Sequence, residues 1–359
     1  MNKKILSIEE LLVKIRDKKA SDLHLTANMP PLARASGEII QIDDEVLTNQ
    51  DIKELVYSVL TDTQKQILED KLSVDLAISV LNIGRFRVHV YHQRGNMTAV
   101  LRRLSDDNPD LKKLGLPKVV ENVCELKSGL VLVTGATGSG KSTTLAAIID
   151  RINQNYSKNI ITIEDPIEYV HMNKKSIINQ RELYTDVDSF PDALRGALRA
   201  DPDIILVGEM RDLDTIRTAI MAAETGHLVF ATLHSRDAVS SINRMIGVFT
   251  PQEQQQIRQQ LSVSLKAVIS QQLLPRKSGD GIVLACEIMN VTPAISNLIR
   301  LEKQEHMYMS IETGFDAGMQ TMEQSLIQLV KSGDIDISTA KISSKNASMI
   351  EQRLNTINT

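Results

Sequence analysis

The stretch GLVLVTGATGSGKSTTLAAIID, residues 129–150, constrains this chain more than any other. Four apolar residues run into a glycine-rich turn that closes on Lys141 and Ser142, and a helical pattern follows. From Gly135 to Ser142 the string G-x-x-x-x-G-K-[ST] is complete. Glycines at these positions let successive N–H groups turn inward, and the helix behind them presents its positive N-terminus. Together they make a phosphate cradle. The loop of Gly135, Ala136, Thr137, Gly138, Ser139, Gly140, Lys141, Ser142 and Thr143 is therefore the candidate ATP site. In that reading Lys141 reaches the β- and γ-phosphates and the Ser142 hydroxyl ligates Mg²⁺. The cradle does not say what the phosphate energy is used for.

The rest of the chain narrows that question. From about residue 118 short apolar runs recur at LVLV, IITI, DIILVG and HLVFATL, separated by helical stretches. Uninterrupted apolar strands alternating with helices indicate a parallel sheet covered on both faces. The glutamine cluster PQEQQQIRQQ reads as the solvated face of a helix continuing through LSVSLKAVISQQLL, and the tail from about Ser343 is polar and uninformative. Residues 1–104 read as a smaller α/β domain. It has an amphipathic helix on Ile5, Ile8, Leu11, Leu12 and Ile15, then a strand at SDLHL. Two strands joined at Ser36-Gly37 follow, and Thr48 with Asp51 opens a capped helix at NQDIKELVYSVL. Three last strands turn at Asn82-Ile83-Gly84 and Arg94-Gly95-Asn96. Residues 105–117, SDDNPDLKKLGLP, have the composition of a linker, which leaves 118–359 as the second domain.

A net charge of −4 over 359 residues and only 3% aromatic side chains supply neither a basic field nor stacking platforms for nucleic acid. The two cysteines, Cys124 and Cys286, have no metal-ligand spacing and read as buried, reduced thiols. The basic start MNKK is followed by Glu9 and Glu10 rather than by a signal-peptide core, and no run approaches about 20 apolar residues. The expectation is a cytoplasmic protein.

Hydrolysis needs an oriented water and stabilised γ-phosphate charge. The strand DIILVGE ends in Glu209, placed to polarise water or hold the Mg²⁺ shell. NIITIEDPIEY ends in Glu164, Asp165 and Glu168, three acids that repel unless a cation lies among them. HLVFATLHS is flanked by His227 and His234. Four parallel strands carrying the loop, two acidic edges and a histidine on one rim form a coherent site, because α/β sheets bind ligands beyond the carboxyl ends of their strands.

The strings ASDLHL, GRFRV, TGATGSGKSTT, ITIEDPIEY, LRADPDIILVGEMRD, AAETGHLVFATLHS, ISQQLL and TPAISNLIR, in this order, resemble the secretion and type IV pilus ATPases. Within them the resemblance is to the PilT family of pilus retraction motors, and it covers nearly the whole chain. It implies a PAS-like N-terminal domain on a RecA-like ATPase domain, working as a homo-hexameric ring at the cytoplasmic face of the inner membrane. There the ring docks on the pilus platform protein and drives pilus disassembly. By the same resemblance Glu164 to Glu168 match the acidic box, Glu209 the Walker B glutamate, and His227 to His234 the histidine box. Arg87 and Arg102 match arginines that the N-terminal domain supplies to the ATP site. The family string A-I-R-N-L-I-R-E departs here at Ser296 and Leu301, a motif tied to retraction rather than turnover.

Four rivals stand beside a retraction motor. An accessory paralogue dependent on a second retraction ATPase fits the altered motif. An assembly ATPase carries a four-cysteine zinc site that two distant cysteines do not make. A RecA-like DNA translocase calls for a basic face. A ring that binds ATP without hydrolysing it is opposed by the retention of Lys141, Glu209 and His234.

Overall fold

The computed structural model describes residues 5–35, 37–104 and 107–355. Ser36 of the expected turn, the first two linker residues, the basic start of four residues and the last four residues lie outside the described residues. The chain forms two compact units. One comprises the chain up to Asn108 with Asp165–Val170 and Arg181–Ser189. The other comprises Pro109–Glu164, His171–Gln180 and the chain from Phe190 onward. The sequence reading runs the second domain unbroken from residue 118, whereas most of the acidic-box segment counts with the first unit.

The first unit holds strands β1 (Asp22–Thr26), β2 (Leu32–Ala35), β3 (Glu38–Gln41), β4 (Ser73–Val80), β5 (Gly84–Gln93) and β6 (Asn96–Arg103). They form one antiparallel sheet in the order β3-β2-β1-β6-β5-β4. Strand alternation sends Leu23, Leu25, Phe86, Val88, Val90, Ala99 and Leu101 to one face. There they bury against helices α1 (Ile8–Asp17), α2 (Asn49–Tyr57) and α3 (Asp62–Lys71). The α1 stripe of Ile8, Leu11, Leu12 and Ile15 is wholly inside. Each helix starts on a reciprocal capping box, Ser7 with Glu10, Thr48 with Asp51 and Thr61 with Gln64. The hairpins turn where expected, with positive φ at Asn82, Arg94 and Gly95.

The second unit is built on β7 (Gly129–Gly135), β8 (Asn159–Glu164), β9 (Ile177–Glu182, whose last two residues count with the first unit), β10 (Ile204–Val207), β11 (Leu228–Leu233), β12 (Leu265–Pro275) and β13 (Ile282–Asn290). The sheet order is β13-β12-β7-β11-β10-β8-β9. Strands β12, β7, β11, β10 and β8 run parallel, and β13 closes on β12 antiparallel. Every residue of β7, β10 and β11 is buried, as strands covered on both faces require. Helices α4 (Lys141–Asn155), α5 (Phe190–Ala197), α6 (Leu213–Glu224), α7 (Ala238–Gly247) and α8 (Pro251–Ser264) surround them. Helices α9 (Pro293–Arg300), α10 (Gln304–Thr313), α11 (Met322–Lys331), α12 (Ile337–Ser343) and α13 (Ala347–Asn355) complete the unit.

One expectation is corrected, and two further segments are filled in. The helix read through residues 251–274 stops at Ser264, and Leu265–Pro275 is strand β12. Pairing along the open side of β7 buries Ala267, Val268, Ile269 and Ser270, and that outweighs local helix propensity. The polar tail carries helix α13, which seats Ile350 and Leu354 against Leu326, Ile335 and Ala340. In the expected linker Leu111 is buried in the core of the second unit, packed with Val120 and Val123. Both cysteines are buried, and burial pushes each thiol up to about 12, far from reactive.

Candidate nucleotide-binding and hydrolysis site

Strand β7 delivers the loop at its buried end. A Cβ on Gly135, whose φ is +147°, would lie 2.5 Å from the Gln271 carbonyl oxygen and 2.3 Å from Ser139 Oγ, so only glycine admits this approach of β12. Gly138 and Gly140 also have positive φ, and Gly140 opens α4 without a side-chain cap. Having no side chain, Gly140 leaves the N-cap position of α4 open, the arrangement that receives an anion. The Lys141 ammonium donates to the carbonyls of Gly135 at 3.1 Å and Ala136 at 2.9 Å, which packs it against the loop it serves. Ser139 Oγ is buried without a hydrogen-bond partner, an unmet polar atom inside the cradle. Ser142 is exposed at the helix start and Thr143 half-buried beside it. These features fit a nucleotide's phosphates and a hard cation on a hydroxyl.

Because the strands are parallel, whatever follows β8, β10 and β11 emerges on the same rim as the loop. Glu209 follows β10 through Gly208, where a Cβ would press to 3.1 Å from the Ile163 carbonyl and 3.2 Å from Glu164 Cα. That close approach sets the ends of β8 and β10 side by side. His234, which follows β11, places Nε2 3.2 Å from Glu209 Oε1, and Arg211 donates to Oε2 at 2.7 Å. Burial pushes the Glu209 carboxyl up, but Arg211 and then His234 outweigh it and hold the group below its ordinary range. Glu164 ends β8, with Oε1 accepting from Thr162 at 2.6 Å and from Gln180 at 3.0 Å.

His227 is a correction. It precedes β11, so a strand of six residues, about 20 Å long, separates it from His234. Its Nδ1 lies 3.0 Å from the Ala222 carbonyl oxygen at the end of α6, and its own carbonyl accepts from Gly129 at the start of β7. It stands at the opposite edge of the sheet from the rim.

In the first unit Arg87 and Arg102 are direct cross-strand neighbours on β5 and β6. Arg87 makes a two-pronged bond to Asp75, at 3.1 and 2.7 Å, and lies 3.8 Å from Glu168. The Asp75 bond, and after it Glu168 and Asp165, raise the pKa of the Arg87 guanidinium against its burial. A cation thus does stand beside two of the acids after β8, Glu168 and Asp165. Arg102 bonds the buried Asp22 at 2.8 Å and keeps two-thirds of its side chain exposed. Sequence reasoning missed Arg211, Thr162 and Gln180. Arg211 and Thr162 each stand two positions from a glutamate already singled out, and that spacing was a usable signal.

Residues 2–281 match the family described as Type II/IV secretion system protein. The chain is 47% identical over 340 residues to the type IV pilus retraction ATPase PilT of Pseudomonas aeruginosa, covering 95% of this chain and 98% of that one. It is 38% identical over 330 residues to the type IV pilus ATPase PilU of the same organism, covering 92% and 86%. A crystal structure of the pilus retraction motor PilT with bound ADP superposes with a TM-score of 0.90 at 48% identity, covering 97% of this chain and all of that one. With the phosphate loop and the Glu209–His234 pair on one rim, and with these matches along nearly its whole length, the chain belongs to the PilT family of type II/IV secretion system proteins.

Proposed function

We propose that this protein is a Mg²⁺-dependent ATPase that drives type IV pilus retraction, working as a homo-hexamer on the pilus platform protein at the cytoplasmic face of the inner membrane. The observation that carries the hydrolytic part is Glu209, half-buried, held ionised and bracketed by His234 and Arg211 on the rim that carries the phosphate loop. An ionised carboxylate accepts a proton or a hydrogen bond from water, and His234 fixes which oxygen faces it. Lys141 exchanges its loop carbonyls for the β- and γ-phosphate oxygens, and the uncapped start of α4 receives their charge. Ser142, with Glu209 through water, would hold Mg²⁺, which would supply positive charge to offset that of the phosphates. Arg87 and Arg102, fixed side by side on one sheet, are the arginines that the first unit offers to a γ-phosphate. In a ring such a contribution makes turnover depend on subunit geometry. Among the described residues no helix is long and apolar enough to cross a membrane.

An accessory motor dependent on a paralogue is the second reading, favoured by α9. Ser296 stands where the family has arginine, and its hydroxyl donates to the Ser262 carbonyl at 2.5 Å instead of offering a charge outward. Leu301 is exposed where the family has glutamate. The test is ATP turnover and solution mass of the purified chain, with and without DNA, together with retraction in a strain lacking the gene. The expected result is a hexamer with DNA-indifferent turnover, retained ATP binding but no turnover in Glu209→Gln, and failure of that variant to restore retraction. DNA-stimulated turnover by a monomer refutes the motor reading. Retraction that persists without this chain selects the accessory role.

A further inference from the structure

The carboxylate of Glu164 is held at the end of its strand by named partners. Thr162 lies two residues earlier on β8, so its side chain shares the face of Glu164. Its hydroxyl donates to Glu164 Oε1 at 2.6 Å, and Gln180 Nε2 donates to the same oxygen at 3.0 Å. The orientation of the Gln180 amide is fixed from its other end. The His171 backbone N–H, which can only donate, bonds Gln180 Oε1 at 2.8 Å, so the NH₂ group must turn toward Glu164. The loop that carries His171 is laced to the phosphate-loop helix. Asn153 of α4, fully buried, donates to the Met172 carbonyl and accepts from the N–H groups of Lys174 and Ser176.

Packing alone does not call for these polar groups. Thr162 is 1% exposed between the core residues Ile161 and Ile163. Valine has the same shape and an equal liking for a buried strand, so the hydroxyl earns its place through the bond to Glu164. We propose that Thr162 and Gln180 are positioning residues for Glu164, holding its carboxyl group in one orientation at the phosphate rim. Two donors on one oxygen favour the charged form and remove rotamers that point elsewhere. The inference rests on the reading of this chain as an ATPase with Glu164 at its site.

The test is steady-state ATP hydrolysis by the full chain carrying Thr162→Val, Thr162→Ser, Gln180→Glu or Glu164→Gln, and the Thr162→Val/Glu164→Gln double variant. Thr162→Val is expected to lower kcat about tenfold, with KM for ATP held within about twofold. It also moves the acid side of the kcat–pH profile up, because the charged carboxylate loses a donor. Thr162→Ser restores both. Gln180→Glu, which sets a second carboxylate against the first, moves the acid side further up. In the Glu164→Gln background Thr162→Val costs nothing more, because the group it positions is gone. Equal losses in both backgrounds, or a pH profile that neither Thr162→Val nor Gln180→Glu moves, overturn the proposal. Full activity in Glu164→Gln overturns it through its target. A wild-type chain without ATP turnover fails the hydrolase reading itself, before any variant is compared.

Discussion

Glu182→Ala is the substitution whose cost follows most directly from the geometry of the first unit. Glu182 is 3% exposed and receives the Arg85 guanidinium at 2.5 Å. The same Oε2 accepts the Ile167 N–H at 3.1 Å, while Arg85 Nε donates to the Ile167 carbonyl at 2.9 Å. The backbone of Ile167 is thus clamped on both sides by one ion pair, and Oε1 adds longer bonds from Ala77 N and Thr185 Oγ1. Removing the carboxylate strands a mostly buried guanidinium and an amide donor together. Breaking a buried pair by deleting one partner costs about 3–5 kcal/mol, within which the orphaned N–H accounts for about 1–3 kcal/mol. Residues 165–170 have no strand or helix of their own, so the loss falls there first.

The assay is native-state hydrogen exchange on the full chain, read over residues 165–170 and over β7. The opening free energy of residues 165–170 should fall by about 3–5 kcal/mol while β7 keeps its protection. Adding Arg85→Met should recover part of the loss, because no unpaired charge remains buried. A fall of less than about 1 kcal/mol, the range of an exposed pair, refutes the clamp. An equal fall at β7 refutes its locality.

Gly135→Ala should abolish binding of a fluorescent ATP analogue, since its Cβ would meet the Gln271 carbonyl and Ser139 Oγ inside normal contact. Gly226→Ala, at a positive φ with open space around it, should leave that binding intact, and equal loss in both would remove the steric explanation. Glu287 supplies a pH dependence of stability. Burial first, then Asp237 and Glu323, push its carboxyl from 4.5 up to about 7, against the opposing pull of the Ala238 N–H and the Lys345 ammonium. Between those values the folded chain binds the extra proton, so stability falls as pH rises, by a total of about 3 kcal/mol. Urea unfolding of Glu287→Gln at about pH 5 and about pH 8 should lack that fall, and an unchanged pH dependence would assign it to other groups.

What was legible in the chain was local. The phosphate loop, the capping box at Thr48 and the hairpin turn at Asn82 each draw their geometry from residues within a few positions of one another, so pattern alone finds them. Strand β12 escaped because its identity comes from β7, more than a hundred residues earlier, whose side it completes. Its own LKAVISQQLL satisfies a helical pattern equally well. Glu182 escaped for the same reason, being defined by Arg85, 97 positions away. No spacing rule connects them.

His227 is a different kind of miss, because the information was present. Once β11 was read as a strand of a parallel sheet, chain direction already divided its neighbours between two edges. A residue that ends or follows such a strand joins the rim where the loop sits, and a residue that precedes it stands a full strand length away. Glu164 ends its strand, Glu209 and His234 follow theirs, and His227 alone precedes its own. Taking both histidines that flank β11 as site residues ignored the property of a strand that decides which rim a neighbour joins, which is that it has two ends. The same rule places Arg211, two residues beyond Glu209, on the rim, and the bond it makes to Glu209 is the outcome.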